Sequence, residues 1–90
     1  MKLLRIEAVP GVGEPPFLAA QRAAIIAATA SSGEVMLLAW KDNLTGNVSP
    51  DVAACGPCGL EGWELYAQSR GGDVRVEVHG GDYVFIFLTL

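Results

Sequence analysis

The clearest pattern in the chain is a strict alternation near its C-terminus. Val74, Val76 and Val78 interleave with Arg75, Glu77 and His79. A period of two with one apolar and one polar face predicts a strand lying on a core. Gly80-Gly81 then signals a hairpin. The following run, Asp82–Leu90 (DYVFIFLTL), is apolar almost throughout. A strand of that length and apolarity would aggregate at an open edge, so it is expected in the middle of a sheet or at a dimer seam. Residues 62–69 (GWELYAQS) also alternate, with Trp63, Leu65 and Ala67 opposing Glu64, Tyr66 and Gln68. They read as a third strand, turned into the next by Arg70-Gly71-Gly72-Asp73.

The N-terminal half has a different rhythm. Residues 2–9 (KLLRIEAV) place Leu4, Ile6 and Ala8 on one face and Arg5 and Glu7 on the other, a half-buried strand. Pro10, Gly11, Gly13, Pro15 and Pro16 break the segment that follows. Phe17–Ser31 then reads as a helix. Pro16 suits its first turn, and Gly33 is placed for a left-handed cap. Seven alanines are interleaved with Leu18, Ile25 and Ile26, and only Gln21 and Arg22 are clearly polar before Thr29. A surface helix should have a polar half. One face must cover a sheet, which would leave the small alanine face bare and suited to close packing against a second copy. Glu34–Lys41 (EVMLLAWK) is a buried strand, residues 42–47 a turn, and residues 48–61 a long loop with at most one helical turn at 50–54.

These elements predict one α+β domain over residues 1–90: a single antiparallel or mixed sheet of about five strands with one long Ala-rich helix on one face. The composition sharpens the expectation of self-association. The chain is 51% hydrophobic and only 18% charged. A domain of this size has too little polar surface to cover itself comfortably. Net charge is −4, and Lys2, Arg5, Arg22, Lys41, Arg70 and Arg75 are scattered. Without clustered cations, nucleic acid and anionic membranes are disfavoured partners. Arg5 and Glu7 interrupt any signal-peptide core, so the chain is expected in the cytoplasm.

The most chemically capable stretch is Cys55-Gly56-Pro57-Cys58, which matches the active-site tetrapeptide of thioredoxins. Thiol catalysis would need a preceding strand and a helix starting at the first cysteine to favour the thiolate. A Ser-Pro-Asp-Val-Ala-Ala loop precedes it instead, and Gly59 and Gly62 follow. A zinc site wants four ligands. Two chains could pool their Cys55/Cys58 pairs, with Asp51, His79, Glu61 or Glu64 as further ligands, and zinc is the one cofactor candidate. The surroundings favour a compact turn with buried thiols. Gly11-Val12-Gly13-Glu14-Pro15-Pro16 stands where a dinucleotide-binding loop would stand. Its prolines lack the N–H donors a phosphate needs, and Glu14 would repel one. His79 is the only histidine, so no nucleophile–base pair is legible.

LLAW at 37–40, SPDV at 49–52, GWELYAQSRGG at 62–72 and YVFIF at 83–87 resemble a small prokaryotic domain family of unknown function. The resemblance implies no activity. The expectation is therefore a cytoplasmic homo-oligomer, most simply a dimer, with no catalytic apparatus legible. The alternatives are a metal or thiol-redox module at Cys55/Cys58, and a small-ligand binder or enzyme with an interface site near residues 49–62.

Overall fold

In the computed structural model, which describes residues 1–54, 56, 57 and 59–90, the chain runs β1 (Lys2–Ile6), α1 (Pro16–Ser32), β2 (Val35–Asp42), β3 (Val48–Ser49), α2 (Gly62–Ser69), β4 (Val74–Val78) and β5 (Tyr83–Thr89). A short 3-10 turn at His79–Gly81 joins the last two strands. The five strands form one mixed sheet in the order β1-β4-β5-β2-β3. β1 pairs with β4 in parallel, and the other neighbours are antiparallel. The apolar C-terminal run is the central strand, where both of its edges are paired.

The domain is α+β as expected, with one more helix than the alternation suggested. Residues 62–69 form α2, not a strand, and Arg70–Asp73 turns a helix into a strand, not one strand into another. The physical reason lies in spacing. Trp63 and Ala67 are four apart, and Tyr66 sits between them at three, so the same residues fit one face of a helix as well as alternate faces of a strand. Trp63 and Ala67 are buried against Ala39, Val84 and Ile86, with Tyr66 packed beside them. The fifth strand comes instead from Val48–Ser49, inside the segment expected to be loop, pairing with Trp40 and Lys41. No helical turn forms at 50–54.

The two helices lie on opposite faces. Val74, Val76, Val78, Tyr83, Phe85 and Phe87 pack under α1, while Val84 and Ile86 point to α2. The topology explains this. The α1 crossover carries the chain from β1 past β4 and β5 to β2, and the α2 crossover returns it past β5 to β4. Moves in opposite directions along a sheet keep one crossover hand only if their helices cover opposite faces.

The alanine face of α1 is not bare. Ala20, Ala24 and Ala28 are fully buried against the sheet, joined by Leu4, Ile6, Ala8, Phe17, Val35, Leu37 and Trp40. Methyl side chains let the helix backbone approach the large residues of β4 and β5 without overpacking. What faces outward is larger: Leu18, Ile25 and Ile26, exposed at 50%, 41% and 59%. Gly33 closes the helix at φ 80°, where its N–H reaches Thr29 O.

Candidate functional site

Three places on the molecule gather chemistry. The first is the end of the sheet where β1 and β4 run out side by side, Ile6 opposite Val78. The backbone folds sharply there. His79 takes a positive φ of 54°, a left-handed conformation a non-glycine residue rarely adopts, and Gly80 and Gly81 follow at φ 71° and 108°. The His79 ring is committed to the N-terminal strap: Nδ1 lies 3.2 Å from Glu7 Oε2, and Nε2 lies 2.9 Å from Ala8 O. Beside it is an open depression of about 350 Å³ lined by Arg5, Ile6, Glu7 and Gly80.

A row of charges leads away from this depression across the part of the sheet that the short α2 leaves uncovered. Arg5 Nε lies 3.5 Å from Glu77, Arg75 Nε 3.2 Å from Glu77, and Arg75 Nη1 3.1 Å from Glu64 on α2. The Arg75 guanidinium also stands 5.7 Å from the centre of the Trp63 ring. Alternating signs cancel along the row, and half-exposed pairs of this kind add little stability each.

The second place is the base of the loop that carries the cysteines. Lys41 holds both ends of it. Its backbone pairs with Val48, and its ammonium reaches both Glu61 oxygens at 2.7 and 2.9 Å. The Trp63 indole N–H also donates to Glu61. The Lys41 contact first, then that indole bond, hold the Glu61 carboxyl below the usual carboxylate range. Glu61 and Glu64 are thus each spent on a cation and do not converge as an acid–base pair. Asp51 is exposed on the loop. Cys55 and Cys58, and with them the expectations of buried thiols or a shared zinc site, lie outside the described residues. Among the described residues no three acidic or histidine side chains gather as a metal site.

The third place is the outward face of α1 with the connection that leads into it. Glu14 Oε1 accepts the Gly11 N–H at 2.9 Å, and the two carboxylate oxygens meet Arg22 Nη2 at 2.9 Å and Nε at 3.0 Å. The Gly-Val-Gly-Glu loop therefore supplies its own anion where a phosphate would have to bind. Arg22 foremost, with the Gly11 N–H, depresses the Glu14 carboxyl from 4.5 to about 2. A group whose value is lowered by folding adds stability that is intact above its ordinary pKa and is lost as pH falls through the folded one. The Glu14–Arg22 contribution is accordingly expected to be complete well above pH 4.5, to fall progressively as pH drops from there towards about 2, and to be gone below that. NMR titration of the Glu14 side-chain carbon should show that low midpoint, and Arg22→Gln should move it back up towards 4.5. An ordinary midpoint in the unmodified chain would contradict the pairing.

The family model of DUF5619, a domain of unknown function, matches residues 6–87. The chain belongs to the DUF5619 family. Over 53 residues this DUF5619 domain is 34% identical to an uncharacterized protein of Archaeoglobus fulgidus, a match spanning 59% of this chain and 55% of that protein. The crystal structure of the Archaeoglobus fulgidus protein AF1514 superposes with a TM-score of 0.77 at 28% identity, covering 100% of this chain and 95% of the other. The fold therefore has an experimental counterpart over its whole length, and the resemblance read from residues 37–87 pointed to a family of the right kind.

Reasoning from the sequence of this DUF5619 domain missed the Glu14–Arg22 clamp and the Lys41–Glu61–Trp63 anchor. Both join residues across a turn and a loop of irregular length, where no helical or strand spacing can register them. The available signal was sparse charge. Arg22 is the only ionisable residue on a 17-residue helix, and Glu14 is the nearest acid before it.

Proposed function

We propose that this chain is a cytoplasmic self-associating domain that works by pairing with a second copy of itself through the outward face of α1. The observation that carries the reading is the set Leu18, Ile25 and Ile26, which stand out from the same helix into water. Single exposed apolar residues are ordinary. Three large ones within about two turns of helix form a contiguous patch, and such patches mark contact surfaces. Burying the exposed half of one such side chain is worth roughly 1 kcal/mol. A two-fold pairing would bury the set from both chains at once.

The face also suits a like partner electrically. Its only ion, Arg22, is already paired within the chain, so two copies would meet without net charge. A single helix-to-helix seam lies at the small end of specific interfaces, which implies a dissociation constant on the order of micromolar. Among the described residues no helix is long and apolar enough to cross a membrane, so α1 is not accounted for as a span.

Sedimentation velocity tests the reading. The unmodified chain should shift from monomer towards dimer between about 1 and about 200 µM, and Ile26→Asp should weaken the association at least about ten-fold while leaving the far-UV circular dichroism unchanged. A monomer throughout that range, or an Ile26→Asp variant that associates equally well, would overturn it.

A further inference from the structure

We infer that the α1 pairing is antiparallel, about a two-fold axis crossing the helix between Arg22 and Ile25, and that Glu14 serves as the built-in counter-ion that makes this seam possible. The inference rests on the self-association reading above and specifies its geometry and control.

Leu18, Arg22, Ile25 and Thr29 follow one another at spacings of four, three and four. That is the seam spacing of two helices packed along their length. An antiparallel two-fold sets Leu18 against the partner's Thr29 and Arg22 against the partner's Ile25. A large residue then meets a small one at the ends, and the long Arg22 stem lies along an apolar side chain in the middle. The opposed helix dipoles also attract in this arrangement. A parallel pairing would oppose them head to head and put Arg22 level with its own copy.

Even in the antiparallel seam the two Arg22 guanidiniums come within roughly 10 Å of each other, given the helical rise and usual helix separation. Bare cations that close, in a partly dried interface, would oppose association. Glu14 removes that obstacle. Its carboxylate takes both Nε and Nη2 of Arg22, and it is itself held by the Gly11 N–H in a turn closed by Glu14 N to Gly11 O at 3.0 Å. Pro15 and Pro16 fix the chain between that turn and the helix. The Gly-Val-Gly-Glu-Pro-Pro connection thus acquires a purpose: it delivers one negative charge to one arginine.

Glu14→Gln is the test, because glutamine keeps an oxygen for the Gly11 N–H while losing the charge. At low ionic strength the variant should dimerise about ten-fold more weakly than the unmodified chain, as expected for two like charges facing each other at this range. Salt at about 1 M, which shortens the screening length to about 3 Å, should restore most of the loss. The double change Glu14→Gln/Arg22→Gln should restore it without salt. A structural defect in the loop would persist under both treatments. If the unmodified chain dimerises and loses dimer on Ile26→Asp, yet Glu14→Gln is indistinguishable from it or is rescued by neither treatment, the counter-ion role fails while the pairing stands. If the unmodified chain is monomeric, the pairing itself fails.

Discussion

Gly62→Ala is expected to remove roughly 3 kcal/mol or more of stability, a large loss for a single methyl group. Gly62 is the first residue of α2, and the loop from β3 folds back over it. A Cβ there would lie 1.8 Å from Val52 O, 2.6 Å from Val52 C and 2.9 Å from Ala53 O. All three are backbone atoms, which have no rotamer to yield. Nor can the loop drift away freely, because Lys41 holds its far end through Val48 and its near end through Glu61. Relief must come from displacing α2, which would pull Trp63 and Ala67 from their contacts with Ala39, Val84 and Ile86. For a domain of this size the loss corresponds to a fall in Tm of more than about 12 °C. Gly11→Ala is the control. Its Cβ would meet Glu14 Oε1 at an ordinary 3.6 Å. That change should stay within about 0.5 kcal/mol. Thermal unfolding followed by circular dichroism decides the matter, and a Gly62→Ala variant melting with the unmodified chain would contradict the close approach.

Phe85→Ala should cost about 3–5 kcal/mol, the usual range for emptying a buried aromatic site. Phe85 is fully buried at the middle of β5, opposite Val76 on one neighbouring strand and Trp40 on the other. Its ring lies 5.6 Å from that of Phe17, which in turn packs 4.5 Å from Trp40 and 6.1 Å from Tyr83. This aromatic group joins the first turn of α1 to the centre of the sheet. Collapse into the vacated space is hindered because β5 is hydrogen-bonded along both edges and, past Phe17, the helix above offers the short methyls of Ala20, Ala24 and Ala28. Small domains have about 5–15 kcal/mol in hand, so the variant should sit near its unfolding midpoint in mild urea. A loss below about 1 kcal/mol would mean that the face under α1 is not the core.

The same two sites show how far the sequence was legible. Strands whose one face is wet announced themselves: Val74, Val76 and Val78 alternate because Arg75 and Glu77 point to the uncovered part of the sheet. The central place of β5 was also legible, since Tyr83–Phe87 leaves no residue to face water. α2 was not, because eight residues are too few for periods of two and 3.6 to separate. The decisive fact, that Gly62 must be a glycine under Val52, is a contact between residues ten positions apart that no regular spacing encodes.

The orientation of α1 misled for a different reason. Apolarity says that a helix is mostly buried, and it does not say which apolar face meets the sheet. Large residues already fill the sheet side through Phe85 and Phe87, so the helix contributes alanines there and turns Leu18, Ile25 and Ile26 outward. The expectation of a self-contact at α1 therefore carries over to the opposite face of the same helix. The position of His79 was not legible either: its ring nitrogens lie against Glu7 and Ala8, contacts between the two ends of the chain that no local spacing records.

The central claim is that the outward face of α1 meets its own copy. Isotope-filtered NMR on a mixture of labelled and unlabelled chains, at a concentration where sedimentation shows dimer, tests it most directly. The account predicts intermolecular contacts among the Leu18, Ile25 and Ile26 methyls, with Leu18 of one chain near Thr29 of the other. Intermolecular contacts confined to Leu3 on the open edge of β1, or to Met36 and Leu88 on the opposite face of the sheet, would contradict it.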